Sequence, residues 1–383
     1  MASAVVSLTR LTDSEVLAAI AQGRARADQE HKPLPEVLDA LRQSSFIGLA
    51  VPTEYGGKGG DARNINEFVA EVAAVDPSIA IILFQHYAVS ARIADWGTPE
   101  QKQTILPKLA NGTWLAASAW SEVGAGANKK NISTQAAKTD KGTWILNGRK
   151  SFTTGAGIAD IYLVLVQTSE LTEESACSYG AAGQTFFLVE ATNPGIQPET
   201  SFRLVGMRGS ATGCIRLSDC LVPATQMLGD VGAAPRVIAT VRESGATLGA
   251  VSVGIAEGAY RRATEELRHK GRLESDLVKD VLLMCLQQIE SAKSLIYRAS
   301  DPAARSRGEL TLLSKLVASE MAEGVCARLT QVLGSSGFIE QSPLSVYGRD
   351  AQAVAHMGPT NPLCREILGQ GQLSQFTRSA SHA

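Results

Sequence analysis

Ser118-Ala119-Trp120-Ser121-Glu122-Val123-Gly124-Ala125-Gly126-Ala127-Asn128 stands where the texture of the chain changes. Before it, residues 12 to about 115 carry apolar side chains at helical spacing. Leu34, Val37, Leu38 and Leu41 fall on one helix face, and the mostly apolar residues 78–94 read as another helix. After it, short β-rich runs at residues 134–137, 143–146, 161–166 and 185–190 alternate with turn residues. Asn147-Gly148 reads as a hairpin or tight turn. This spacing predicts a small β-barrel or sandwich, with residues 170–183 as a mobile surface loop. From Ala233 the helical period returns, and residues 249–266, 277–299 and 310–333 are long enough for a four-helix bundle. The expected fold is therefore α+β. An N-terminal helical domain covers residues 1–115, a middle β domain 116–228 and a C-terminal helical bundle 229–383.

Composition narrows the function. The 383 residues are 44% hydrophobic and 19% charged, enough core for two or three packed domains. A net charge of -2 gives no basic surplus for nucleic acid or an anionic membrane, and an aromatic content of 5% argues against base-stacking platforms. The six cysteines form no C-x-x-C pair and read as reduced, structural thiols. No metal is expected, because the five histidines are scattered without H-x-x-x-H or H-E-x-x-H spacing. G-x-S-x-G is absent, which argues against a serine hydrolase. The first residues lack the basic and apolar regions of a signal peptide, and no apolar run reaches spanning length, so a soluble cytoplasmic protein is expected.

Two stretches carry candidate chemistry. In the opening one, small residues around Gly124 let backbone amides approach a ligand, and Ser121 offers a hydroxyl. It is not a G-x-G-x-x-G following a strand, so a Rossmann reading fails. The second is Leu146-Asn147-Gly148-Arg149-Lys150-Ser151-Phe152-Thr153-Thr154-Gly155-Ala156. An aromatic two residues before a threonine can stack on a planar ring while the hydroxyl bonds its edge. Taken alone, each is also what an ordinary turn, or a hairpin with one core phenylalanine, looks like.

Together with Val51-Pro52-Thr53-Glu54-Tyr55-Gly56-Gly57, Gly97-Thr98-Pro99-Glu100-Gln101-Lys102, Gly206-Met207-Arg208-Gly209-Ser210, Gln331-Val332-Leu333-Gly334 and Arg349-Asp350, these stretches resemble the acyl-CoA dehydrogenase superfamily over essentially the whole chain. The resemblance implies a helical domain, a β domain and a four-helix bundle around a flavin. Trp120 and Ser121 would touch one edge of the ring, and Phe152 and Thr154 the other side. Thr360 would approach the pyrophosphate. Gln331 and Gly334 would reach the cofactor of a neighbouring subunit in a homodimer or homotetramer. The substrate would be a small molecule or a thioester on CoA or a carrier protein.

The departures matter more. The family's catalytic glutamate falls on Gly358, and glycine cannot act as a general base. An alternative base site on the first bundle helix aligns with Ser244, next to Glu243, which becomes the remaining candidate. The stretch that holds the adenine end of FAD is missing near residues 267–275, so FMN, or reduced flavin supplied by a separate reductase, competes with FAD. Phe152, with Gly155 after Thr154, looks like the superfamily's flavin monooxygenase branch, as do Asp76-Pro77-Ser78-Ile79 and His86. His86 and His356 are the candidate proton donors there. Three readings follow. The first is a reduced-flavin/O₂ monooxygenase. The second is an acyl-CoA or acyl-carrier-protein α,β-dehydrogenase with Glu243 as base. The third is a catalytically inactive flavin-binding subunit.

Overall fold

The computed structural model describes residues 12–127, 129–169 and 180–380, so most of the loop expected at 170–183 lies outside the described residues. The N-terminal third is helical. Helix α1 (Asp13–Glu30) opens on a capping box in which Thr12 and Glu15 satisfy each other's backbone N–H groups. Helices α2 (Pro35–Gln43), α3 (Ala62–Val75), α4 (Pro77–Trp96) and α5 (Pro99–Ala110) follow, and α2, α4 and α5 start on a proline whose missing N–H has no helical partner to lose. Helix α4 is apolar all round because it packs against α3, α5 and the first strand.

The middle third is one eight-stranded mixed sheet. Its strands are β1 (Ala116–Ala119), β2 (Gln135–Lys138), β3 (Thr143–Thr153), β4 (Ile161–Gln167), β5 (Gln184–Glu190), β6 (Ile196–Ser201), β7 (Gly213–Pro223) and β8 (Met227–Leu228). They lie in the order β6-β7-β3-β2-β4-β5-β8, with β1 parallel to β4. Both faces of β4 are covered. Ile161, Leu163 and Leu165 face the helices, while Tyr162, Val164 and Val166 join a separate core with Trp144, Phe187 and Ile215. That double burial is why β4 and β5 read as unbroken apolar runs.

Asn147-Gly148 is not a turn, contrary to its sequence signal. It lies inside β3 at a register shift against β7. Gly148 has φ +150, and a Cβ there would stand 2.7 Å or less from Thr134 atoms, so close backbone approach requires the glycine. The β2–β3 reversal falls instead at residues 139–143, where Thr139 N donates to Thr143 O at 2.8 Å.

The C-terminal third begins with α6 (Ala234–Glu243). Helices α7 (Gly249–His269), α8 (Asp276–Ser300), α9 (Arg307–Leu333) and α10 (Pro343–His356) form the four-helix bundle, and α11 (Asn361–Ala380) packs along α9. One continuous core joins α1–α4 to α7–α10. Among the described residues, no helix is long and apolar enough to cross a membrane.

Candidate functional site

The two stretches singled out in the sequence meet. Ser151 N donates to Ser121 O at 2.8 Å, and Lys150 Nζ reaches Trp120 O at 3.4 Å. The end of β1 and the end of β3 therefore form one rim. Behind it lies a buried charge cluster. Lys150 is fully buried and pairs with Glu122 at 2.6 Å. Ser133 N and Oγ donate to Glu122 Oε2 at 2.6 Å, and Thr134 N donates to Oε1 at 3.1 Å. Burial alone would raise the Glu122 pKa, but the Lys150 charge and these donors bring it down to about 2. Burial lowers Lys150 to about 8 against the opposing pull of Glu122. Lys129, also buried, donates to Ser121 Oγ at 2.6 Å, and its carbonyl accepts from Gln184 Nε2 at 2.8 Å. Burial lowers Lys129 to about 8 as well.

On the β3 side a second register shift, between Lys150 and Thr153, turns Phe152 outward. Phe152 takes φ +51, a strained conformation for a bulky residue, and its side chain is 61% exposed. Its ring lies 4.8 Å from that of Phe202. The bulge thus presents an aromatic surface at the rim. Thr154, by contrast, is buried, with Oγ1 3.2 Å from Thr212 Oγ1, which lies 2.7 Å from Ser210 Oγ. Gly155 N donates to Ser210 O at 3.2 Å, and its φ of +81 favours glycine. Trp120 packs on Phe186 with centroids 4.9 Å apart, and its indole Nε1 is buried without a partner among the described residues. An orphan buried N–H and an exposed aromatic surface, on two segments joined by the Ser151 N–Ser121 O bond, fit a flat ligand with acceptors on its edge.

The carboxylate candidate is engaged elsewhere. Glu243 ends α6, and its Oε2 accepts from Gly308 N at 3.1 Å, in the first turn of α9. Ser244, at the aligned base position, donates its hydroxyl to Val241 O at 2.8 Å. The loop after it is locked: Arg307 donates to Ser244 O at 2.6 Å, and Asn66 brackets it through Gly245 O and Thr247 N, each at 2.9 Å. Gly358 is exposed just beyond α10 and offers no side chain.

Three family models match in order: the acyl-CoA dehydrogenase N-terminal domain at residues 8–113, the middle domain at 117–220 and the C-terminal domain at 235–373. A Mycobacterium tuberculosis protein named probable acyl-CoA dehydrogenase is 30% identical over 92% of this chain and 91% of its own length. The chain belongs to the acyl-CoA dehydrogenase family. Members are flavin-dependent oxidoreductases. The butyryl-CoA dehydrogenase structure from Megasphaera elsdenii is similar at 29% identity and TM-score 0.85, covering 95% of this chain and 99% of that one. FMN-bound TdsC from a Paenibacillus species shares the fold at 21% identity and TM-score 0.82, covering 94% and 96%.

Within this family member the expected site residues divide. Trp120 and Ser121 follow β1, Phe152 and Thr154 lie at the end of β3, and the Ser151 N–Ser121 O bond joins the two segments, with Phe152 exposed and Thr154 buried. Thr360 is half-buried at the start of α11, where neighbouring Asn361 Oδ1 accepts from the buried Lys315 Nζ at 2.7 Å. His356 is exposed at the end of α10. Gln331 and Gly334 are exposed at the far end of α9. Gln331 is 23 residues beyond Gly308, about 35 Å along the helix from the Glu243 contact. His86 departs from its expected place as a proton donor. It is fully buried, Nδ1 accepts from Ala116 N at 3.2 Å, and Nε2 lies 3.1 Å from Ile47 O. That pairing puts the proton on Nε2 and leaves neither nitrogen for a ligand. Sequence reading missed the charge cluster behind the rim. One signal for it was present: Leu146, Gly148 and Lys150 share one strand parity, so the lysine had to point inward.

Proposed function

We propose that this protein is a reduced-flavin/O₂ oxidoreductase of the monooxygenase type, working without a carboxylate base. The observation that carries this reading is that both places for a base are closed: Gly358 has no side chain, and the Glu243 carboxylate caps α9. Removing the α-proton of a thioester needs a positioned base, and neither position supplies one. The rim supports flavin binding, with Phe152 as the stacking surface, Ser121, Thr154 and Trp120 at the ring edge, and Thr360 toward the phosphates. When bound, the flavin supplies two electrons to O₂, one oxygen atom passing to substrate and the other leaving as water. His356, exposed beside Gly358, is the proton donor this reading favours; His86 is assigned a structural role.

A dehydrogenase reading has its own support, since the acyl-CoA dehydrogenases named above are the relatives at 29–30% identity. It requires Glu243 to leave Gly308. The readings separate in one stopped-flow experiment. For the monooxygenase, reduced holoprotein mixed with O₂ should give a near-ultraviolet transient that outlasts the reoxidation of free flavin. Anaerobic bleaching of the bound oxidised flavin by an acyl-CoA, lost in E243Q, would overturn it.

A further inference from the structure

Behind the rim, among the described residues, two buried ammonium groups, Lys129 and Lys150, share one buried carboxylate, Glu122. Glu122, Lys129 and Lys150 are 8%, 6% and 0% exposed. The carboxylate is saturated by Lys150 at 2.6 Å, by Ser133 and by Thr134. Lys129 is turned by φ +58 and pinned through its carbonyl to Gln184, so that its Nζ meets Ser121 Oγ at 2.6 Å. Because Ser121 Oγ accepts from an ammonium, its own O–H is polarised as a donor. Burial lowers Lys129 to about 8 and Glu122 opposes that shift, so the side chain is mainly protonated at neutral pH. Among the described residues Lys129 makes no ion pair of its own, and a buried cation held only by a hydroxyl is expected where electron density will meet it.

We propose that Lys129, acting through the Ser121 hydroxyl, is a positioning residue that stabilises the reduced flavin over the oxidised one. The inference rests on the flavin site proposed above. Reduction adds electron density to the ring, and a nearby buried cation favours that state over the neutral oxidised ring. Lys129 thereby sets the potential at which the cofactor is loaded with electrons.

The test is the midpoint potential of bound flavin, with the dissociation constants of oxidised and reduced FAD and FMN. K129M should lower the preference for the reduced form at least tenfold, which is about 30 mV for a two-electron couple. K129R should retain most of that preference. Weakening should fall mainly on the reduced flavin, whereas a purely structural role would weaken both forms alike. An unchanged potential in flavin-loaded K129M would overturn the inference and leave the flavin site standing. If K129M does not fold, S121A decides, because an unchanged potential there would remove the proposed relay. A wild-type protein that binds neither flavin in either state would overturn the site and this inference with it.

Discussion

His86 commits both ring nitrogens to backbone groups, and its protonation therefore opposes folding. Burial lowers its pKa from 6.5 to about 4. Above pH 6.5 neither the folded nor the unfolded chain protonates it. Between 6.5 and about 4 the unfolded chain takes up the proton and the folded one does not, so this contribution, about 3 kcal/mol at most, drains away as pH falls. Urea unfolding at pH 7 and pH 5 should show a smaller loss in H86Q than in wild type, although H86Q starts about 1–3 kcal/mol lower for its broken hydrogen bonds. Equal losses in both proteins would refute the structural assignment. The pair behind the rim is more demanding. K150M strands a buried carboxylate and should destabilise by about 3–5 kcal/mol, while the double variant E122Q/K150M should recover part of that loss. A double-mutant cycle in urea measures it, and additive losses would show that the two residues act independently.

At the scale of elements, Glu243 shows how one carboxylate can be read two ways. Helix α9 begins at Arg307 after Ser306, which has φ +54 and makes no side-chain cap. Glu243 supplies the missing acceptor from another helix and places negative charge at the positive end of the dipole. E243A should therefore destabilise by about 1 kcal/mol, with a lower melting temperature, while flavin binding is unchanged. Full stability combined with lost thioester activity would restore Glu243 as the base. The same contrast governs what the sequence reveals. Helices α7 and α8 are legible because long periodic faces are local information, and α4 because its apolar run is long. Strand β1, Ala-Ala-Ser-Ala, is not, because parallel pairing with β4 rather than propensity makes it a strand. Asn147-Gly148 carries turn chemistry, but packing on Thr134 keeps it inside β3, opposite an extra residue of β7. Phe152 and Thr154 were readable as a pair from spacing, but the bulge that leaves Phe152 exposed and Thr154 buried was not.

Across the whole molecule, Arg349 and Asp350 tie the three thirds together. Arg349 holds Asp28 of α1 through contacts of 3.1 and 2.9 Å and donates to Val205 O at 3.0 Å. Asp350 receives Arg24 at 3.2 Å and Met207 N at 2.6 Å. Gly206 passes so close that a Cβ would lie 2.1 Å from Arg349 O, and Gly209 N reaches Ser78 Oγ of α4 at 3.2 Å. The same loop ends at Ser210, whose hydroxyl leads through Thr212 to Thr154 at the rim. A helix-bundle aspartate thus fixes, through a β-domain loop, a hydroxyl proposed to meet the cofactor. D350N keeps the shape of the side chain but leaves Arg24 without this buried partner charge, and should destabilise by about 3 kcal/mol. G206A should produce the same defect by pushing the loop away from α10. In both variants, flavin fluorescence titration should show weaker affinity although neither residue touches the rim. If stability falls while flavin affinity holds, the loop is positioned by β3 and β7 alone. The Arg349–Asp350 joint would then hold the domains together without setting the site.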